Sequence, residues 1–305
     1  MINKAEAAYG FKISSYKPMP RGFVAETFCL DTNKGKFFIK IIKNPRFADN
    51  IPYSLEVQSR IAKRLDFVPS PVKTVDNKFL WTTDDNIAVC LFEYIDGKPN
   101  TADKDGNPHG AENDFTKVVP LAAEIYNLKI ECKKKETFPI LLRREMERFL
   151  EGKMKLTAEV TDFIKGYITY IQNKWNEYNA VCDRLSGINN NFYLTHGDMP
   201  GNLVKDKNNK LHIIDWDDIL LAPIERDFWF YMDSEENIRK ITGIFNNHEI
   251  KWDFNKDYYL YYLFTRFFED LYGYMEMDSI SMTGRKNAQL IKTEVFDWLM
   301  PMMDT

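Results

Sequence analysis

The sequence lacks several features that would classify it at once. Its four cysteines, Cys29, Cys90, Cys132 and Cys182, are scattered through 305 residues with no C-x-x-C pair. Neither a zinc cluster nor a disulfide framework is therefore signalled. Positive charge is not in excess: 41 Lys and Arg stand against 45 Asp and Glu, a net charge of −4. Broad nucleic-acid or anionic-membrane binding, which rests on such an excess, loses its basis. No apolar stretch approaches the roughly 18 residues of a membrane span, and the first residues lack the basic segment and apolar core of a signal peptide. Repeats and low-complexity tracts are also missing. What remains is 44% hydrophobic and 28% charged, enough for a sizeable core in one large domain or two modest ones. The expectation is a soluble, cytoplasmic globular protein.

The small net charge hides an asymmetry. Residues 1–95 carry 14 basic and 10 acidic side chains, a balance of +4, which leaves −8 for residues 96–305. Two ligands of opposite charge would suit such halves, although an uneven solvated surface carries the same charges.

Residues 23–31 and 36–43 are rich in β-branched and aromatic types, and Asn33, Lys34 and Gly35 between them supply turn chemistry, so a hairpin is expected. Leu55, Ile61 and Leu65 share a face at helical spacing, which predicts a helix over about 51–65. Val68-Pro69-Ser70-Pro71 ends it, and short strands are expected near 72–75, 78–82 and 87–92. The polar segment from Asp96-Gly97-Lys98-Pro99 to Gly110 reads as a hinge and excursion, not a core element. Amphipathic patterns then predict helices over 115–129, 141–151 and 157–185. A strand-rich island follows, extended at 192–195, 203–205 and 211–214, before helices resume. The architecture expected is α+β: a small β-rich part with one helix, a hinge, and a larger α-rich part with an inserted β-island.

The island concentrates polar residues among apolar ones. One strand ends at His196-Gly197-Asp198, a Pro-Gly turn follows, Asn202 opens the next strand, and a hairpin leads to Ile213-Ile214-Asp215. Asp198, Asn202 and Asp215 can thus converge at one end of a small sheet. Two carboxylates and an amide oxygen suit a hard cation such as Mg²⁺, which takes oxygen ligands and shares them with phosphate. Asp and Asn also end strands for purely structural reasons; three at this order and spacing point to the metal.

This segment resembles the catalytic and metal loops of the aminoglycoside phosphotransferase family, a branch of the protein-kinase-like fold, and the run IIDWDDILLAPIERDFWF is similar to that of the spectinomycin phosphotransferases. The resemblance implies that Asp198 orients and deprotonates a substrate hydroxyl, and that Asn202 and Asp215 hold magnesium against nucleotide phosphates. It makes His196, Arg226 and Asp227 structural supports of the catalytic loop. One departure stands out. Asn202 follows Asp198 by four residues, where the family pattern H-G-D-x-x-x-x-N has five.

The same resemblance asks for a strand lysine on the phosphates and a helix glutamate beside it. Lys40, inside the apolar run 37–41, needs a partner because an unpaired buried charge is costly, and Glu56 is the natural candidate. The turn Pro20-Arg21-Gly22-Phe23 would stand over the phosphates, and Glu93 and Ile95 would meet the purine edge through their main chains. ATP, or GTP in its place, and Mg²⁺ are the implied cofactors.

Between Asp215 and Glu236 there are eight carboxylates and one base, Arg226. An acidic rim there would concentrate a cationic acceptor, with Asp217, Asp218, Glu269 and Asp270 as candidate contacts. The aromatic run 258–268 reads as core. The expectation is a bilobal kinase-like enzyme, with residues 1–95 as nucleotide lobe and hinge and 96–305 as catalytic and acceptor lobe. It would phosphorylate an aminocyclitol or aminoglycoside such as spectinomycin. The alternatives are a metabolic kinase of the same fold acting on choline, ethanolamine, a sugar or an amino alcohol, and a nucleotide-binding pseudokinase.

Overall fold

The computed structural model describes residues 2–19, 25–44, 48, 50–99, 115–277, 295 and 299–304. The turn at 20–23 and most of the polar excursion, 100–114, lie outside the described residues. The chain forms two compact units. The first comprises residues 1–135, 193–222 and 247–250, and the second comprises 136–192, 223–246 and 251–305.

The first unit is built on an antiparallel sheet. Its strands are β1 (Ile13–Pro18), β2 (Glu26–Thr32), β3 (Gly35–Ile42), β4 (Pro71–Val72), β5 (Leu80–Thr82) and β6 (Ala88–Glu93), ordered β1-β2-β3-β6-β4 with β5 also on β6. The β2–β3 hairpin is the one expected, while β1 and the short helix α1 (Ala5–Tyr9) were not.

Strand alternation sorts the side chains into two cores. Ile39, Ile41, Val89 and Leu91 pack with Ala5, Tyr9 and Phe11 from the N-terminal segment. Ile42, Ala88, Cys90 and Phe92 pack with Ile51 and Leu55 of helix α2 (Ile51–Ala62). Both faces are covered, which explains why β3 and β6 read as continuous apolar runs. Lys40 alternates with Ile39 and Ile41 and lies opposite Cys90 in the register, so it belongs to the α2 face.

Past Glu93 the chain forms strand β7 (Gly97–Pro99), where an excursion without secondary structure was expected. It then forms helix α3 (Phe115–Asn127). The island supplies β8 (Tyr193–Thr195), β9 (Leu203–Asp206), β10 (Leu211–Ile213) and β11 (Leu220–Ala222). β9 lies between β10 and β7, and β11 pairs with β8. Gly97 is required in β7, because an added Cβ would lie 2.5 Å from the Lys205 carbonyl oxygen across the pair.

The second unit is helical: α4 (Arg143–Leu150), α5 (Ala158–Lys165), α6 (Ile168–Leu185), α7 (Glu225–Phe228), α8 (Glu235–Asn247), α9 (Lys256–Met277) and α10 (Met300–Met303). The single helix expected over 157–185 is two, because α5 stops at Gly166 and Tyr167 leaves helical geometry at φ −112° and ψ 0° before α6 begins. The aromatic run is core, as expected: Tyr261, Phe264, Phe267 and Phe268 are buried, and Trp175 of α6 meets Phe268 edge-on at 4.9 Å.

Candidate active site

The site is assembled within the first unit. The register pairs Ile213 with Leu203, and the next step is a bond from the Ile214 amide to the Asn202 carbonyl at 2.9 Å. Asn202 and Asp215 therefore leave the same end of the β9–β10 hairpin. Asp215 carries a left-handed backbone, φ 63°, a conformation that Asp tolerates better than most residues.

β8 leads into the loop that carries Asp198. His196, the first residue past β8, is buried, with its ring edge-on to the buried Trp216 at 4.7 Å. His196 Nδ1 accepts the Asp198 amide at 3.2 Å, and Nε2 lies 2.8 Å from the Ile214 carbonyl. A nitrogen that accepts an N–H carries no proton, so Nε2 is the protonated nitrogen and donates to Ile214. His196 is thus an organiser with both ring nitrogens committed, not a base.

Asp198 is exposed at the mouth of this loop. Asn202 Nδ2 donates to the Asp198 carbonyl at 2.8 Å and to its carboxylate Oδ2 at 3.0 Å. Because the nitrogen is spent on Asp198, Oδ1 is the part of the amide left to face a cation. Gly201 lets the turn close tightly: a Cβ there would sit 3.3 Å from Asp198 Oδ1.

Lys40 reaches this cluster from β3. Its Nζ is 2.6 Å from Asp215 Oδ1, 175 residues away, and also contacts Asp217 Oδ2. Burial disfavours the ammonium, but Asp217 and Asp215 together outweigh it and hold the lysine pKa above its ordinary value. Burial pushes the Asp217 carboxyl up; Lys40 pulls it down and the Asp215 charge pushes it up again, leaving it above its ordinary value. Opposite Lys40, burial keeps Cys90 a neutral thiol.

The expected Lys40–Glu56 pair is not formed. Glu56 is exposed on α2 and has no ion pair among the described residues. The buried face of α2 carries Ile51, Ser54, Leu55, Gln58 and Ile61, which rotates Glu56 away from the strand. Ser54, a residue that sequence reasoning passed over, is the polar group α2 sends inward: its hydroxyl donates to the Asp217 carbonyl at 2.6 Å. A serine at i+3 from Ile51 within an apolar stripe was the signal available.

Other expected residues divide by exposure. Glu93 is exposed at the end of β6, and its amide is taken by the Ser70 carbonyl at 3.1 Å; Ile95 is half-buried in the link to β7. Asp218 is exposed, while Asp217 is turned to Lys40. The eight-carboxylate rim is not one surface. Glu225 and Asp227 are buried, Asp215 and Asp217 hold Lys40, and Glu236 pairs with Lys240 at 2.6 Å. In the second unit, Arg226 is half-buried beside Asp227 on α7. Also there, Glu269 is exposed on α9, and Asp270 is engaged one turn away by Arg266 at 2.6 Å.

Asn202 Oδ1 and the Asp215 carboxylate form a hard-oxygen donor pair that suits Mg²⁺, which keeps several waters and needs only one or two protein ligands beside phosphate. No cluster of three or more His, Cys, Asp or Glu is placed to hold a metal by itself among the described residues.

The sequence profile of the phosphotransferase enzyme family (APH) matches residues 15–246. A search of curated proteins finds no matching sequence. Among solved structures, spectinomycin phosphotransferase APH(9)-Ia in complex with ADP and spectinomycin matches with a TM-score of 0.76 at 17% identity, covering 98% of this chain and 94% of that one. An aminoglycoside phosphotransferase from Alicyclobacillus acidocaldarius matches at 0.61 and 13% identity, covering 100% and 96%. The choline kinase LicA from Streptococcus pneumoniae matches at 0.60 and 11%, covering 97% and 98%. At these identities the likeness is one of fold, and the fold is the protein-kinase-like one.

Proposed function

Because the chain belongs to the phosphotransferase enzyme family, we propose that it transfers the γ-phosphoryl group of magnesium-bound ATP to a hydroxyl of a small cationic acceptor. The observation that carries this reading is the convergence of two hydrogen-bonded pairs, Lys40 with Asp215 and Asn202 with Asp198, which the bond from the Ile214 amide to the Asn202 carbonyl sets side by side.

In this reading the exposed Asp198 carboxylate orients the acceptor hydroxyl and takes its proton. The hydroxyl oxygen bonds to the γ-phosphorus, the bridging P–O bond breaks, and ADP leaves with the electron pair. Little covalent work falls to the protein, so the rate rests on alignment and charge neutralisation. Lys40 meets the phosphates. Asn202 and Asp215 hold magnesium, which when bound neutralises charge on the transferring group. The Glu93 carbonyl and the Ile95 amide are the main-chain groups we assign to the purine, since the Glu93 amide is already occupied. The functional division is residues 1–95 as nucleotide lobe and 96–305 as catalytic lobe, with Arg226 and Asp227 bracing the latter.

An aminocyclitol such as spectinomycin is the acceptor we favour, supported by the match over nearly the whole chain to a phosphotransferase bound to it and by the exposed carboxylate Asp218 in the same unit as Asp198. The match to a choline kinase over 97% of the chain supports a second reading, a metabolic amino-alcohol kinase. Both acceptors are cationic and carry a hydroxyl. The test is turnover of ATP, and of GTP, over a panel of aminocyclitols, aminoglycosides, choline and ethanolamine, with product mass and position determined. Transfer to aminocyclitols supports the first reading and transfer to choline-like amines the second. Metal-dependent nucleotide binding with no transfer to any hydroxyl would leave a pseudokinase.

A further inference from the structure

We infer that Asp217 is the positioning residue that aims the Lys40 ammonium, the part that a helix glutamate was expected to play. The inference deepens the nucleotide reading above and rests on it. Lys40 is nine-tenths buried and cannot stay charged without a close anion. Two carboxylates meet it, and they differ in how they are held. Asp215 is the more open of the two, with 46% of its side chain exposed against 27% for Asp217. Asp215 is also the carboxylate assigned to magnesium, and a carboxylate committed to a divalent cation has less charge to give a lysine. Asp217 has no such second duty.

Its backbone is also fastened. The Ser54 hydroxyl donates to the Asp217 carbonyl at 2.6 Å from the buried face of α2. Trp216, the residue before it, is buried and donates its indole N–H to the Ile213 carbonyl at 2.9 Å. Helix α2 is itself tied to the segment after α3. Tyr53 accepts the Lys133 amide, Asn50 accepts Lys134 Nζ at 2.6 Å, and Arg60 donates to the Glu131 carbonyl at 3.1 Å. The helix therefore reaches Lys40 through Ser54 and Asp217, while Glu56 faces outward. A lysine held this way has its direction set before a phosphate arrives, which lowers the ordering cost of binding.

The test uses Lys40→Met, Asp217→Asn and the double variant of the full chain, with Mg·ADP affinity measured by calorimetry without acceptor and thermal unfolding measured without nucleotide. Asp217→Asn is expected to raise the Mg·ADP Kd about tenfold while the acceptor KM stays unchanged. The double variant is expected to bind no worse than Lys40→Met and to melt no lower, the non-additivity of a coupled pair. Should Asp217→Asn fail to fold, Ser54→Ala, which removes no charge, is expected to weaken Mg·ADP two- to threefold. Additive losses, or wild-type Mg·ADP affinity in Asp217→Asn, overturn the inference. So does a loss confined to acceptor KM. A wild-type protein that binds neither ADP nor ATP overturns the nucleotide reading itself, a result separable from all of these.

Discussion

Asn202 gives both amide hydrogens to Asp198, one to its carbonyl at 2.8 Å and one to its carboxylate at 3.0 Å. The loop between them is one residue shorter than the family pattern, and the Asn202 amide to Met199 carbonyl bond of 3.1 Å shows how it closes. This turn brings the Asn202 side-chain amide onto the Asp198 carboxylate. The residues proposed as base and metal ligand are thereby set against each other by direct contact.

Asp198→Ala should cost 10²- to 10⁴-fold in kcat, the range for a positioned general base, with nucleotide Kd within about threefold of wild type. Asn202→Ala should lower kcat and also raise the magnesium concentration for half-maximal rate, since it removes an oxygen donor together with the clamp. Steady-state kinetics with a magnesium titration separates the two patterns.

Gly201→Ala places a methyl carbon 3.3 Å from Asp198 Oδ1, a contact the carboxylate must yield to. The backbone of Gly201 is not left-handed, so the change is steric and local. The expected result is a loss of kcat of about tenfold, with unchanged nucleotide Kd and a melting temperature within about 2 °C; displacements of this size are known to cost rate far more than stability.

Glu225 gives the protein a pH-dependent stability. Its buried carboxylate accepts Trp252 Nε1 at 3.2 Å and the Asn255 amide at 2.8 Å, both on Oε1. Burial pushes its pKa from 4.5 to about 7 against those bonds. Folding therefore takes up a proton between these values. The contribution is full below about 4.5, declines as pH rises and is gone above about 7, a swing of about 3 kcal/mol. Glu225→Gln keeps an oxygen for both donors and removes the ionisation. Urea unfolding at pH 5 and pH 8 should show the variant gaining on wild type at the higher pH.

The β-island was legible because chemistry fixes its residue types: a base, an amide and a carboxylate at successive strand ends leave few substitutes. Lys40 was legible for a related reason, a charge inside an apolar run. Its partner was not. Helical periodicity places Glu56 on α2, but which face is buried follows from Ile51, Leu55 and Ile61 together, and these turn Glu56 outward and Ser54 inward. Short elements escaped for want of period. Helix α1 has five residues and β7 three, and each is held by contacts far away in sequence, such as the Tyr9 hydroxyl donating to the Val89 carbonyl at 3.0 Å. The acidic rim is smaller than its count suggested, because counting charges along the chain ignores burial, and Glu225 and Asp227 are buried.

Gly97→Ala should break the β7–β9 pairing, since no Cβ fits 2.5 Å from the Lys205 carbonyl oxygen. Hydrogen exchange is expected to rise at Asn202 and at residues 203–206, and nucleotide KM and magnesium dependence should worsen together although residue 97 is assigned to neither ligand.

That joint response follows from how β7 is wired. Gly97, Lys98 and Pro99 pair with Asp206, Lys205 and Val204, and the Lys207 amide reaches back to the Asp96 carbonyl at 3.2 Å. The strand just after the stretch assigned to the purine lies beside the hairpin that ends in Asn202 and Asp215, in one three-stranded sheet. In the proposed function, base recognition and cation capture therefore share a mechanical frame through β7: a strain applied at one is passed to the other, and selection on nucleotide preference acts on metal geometry as well.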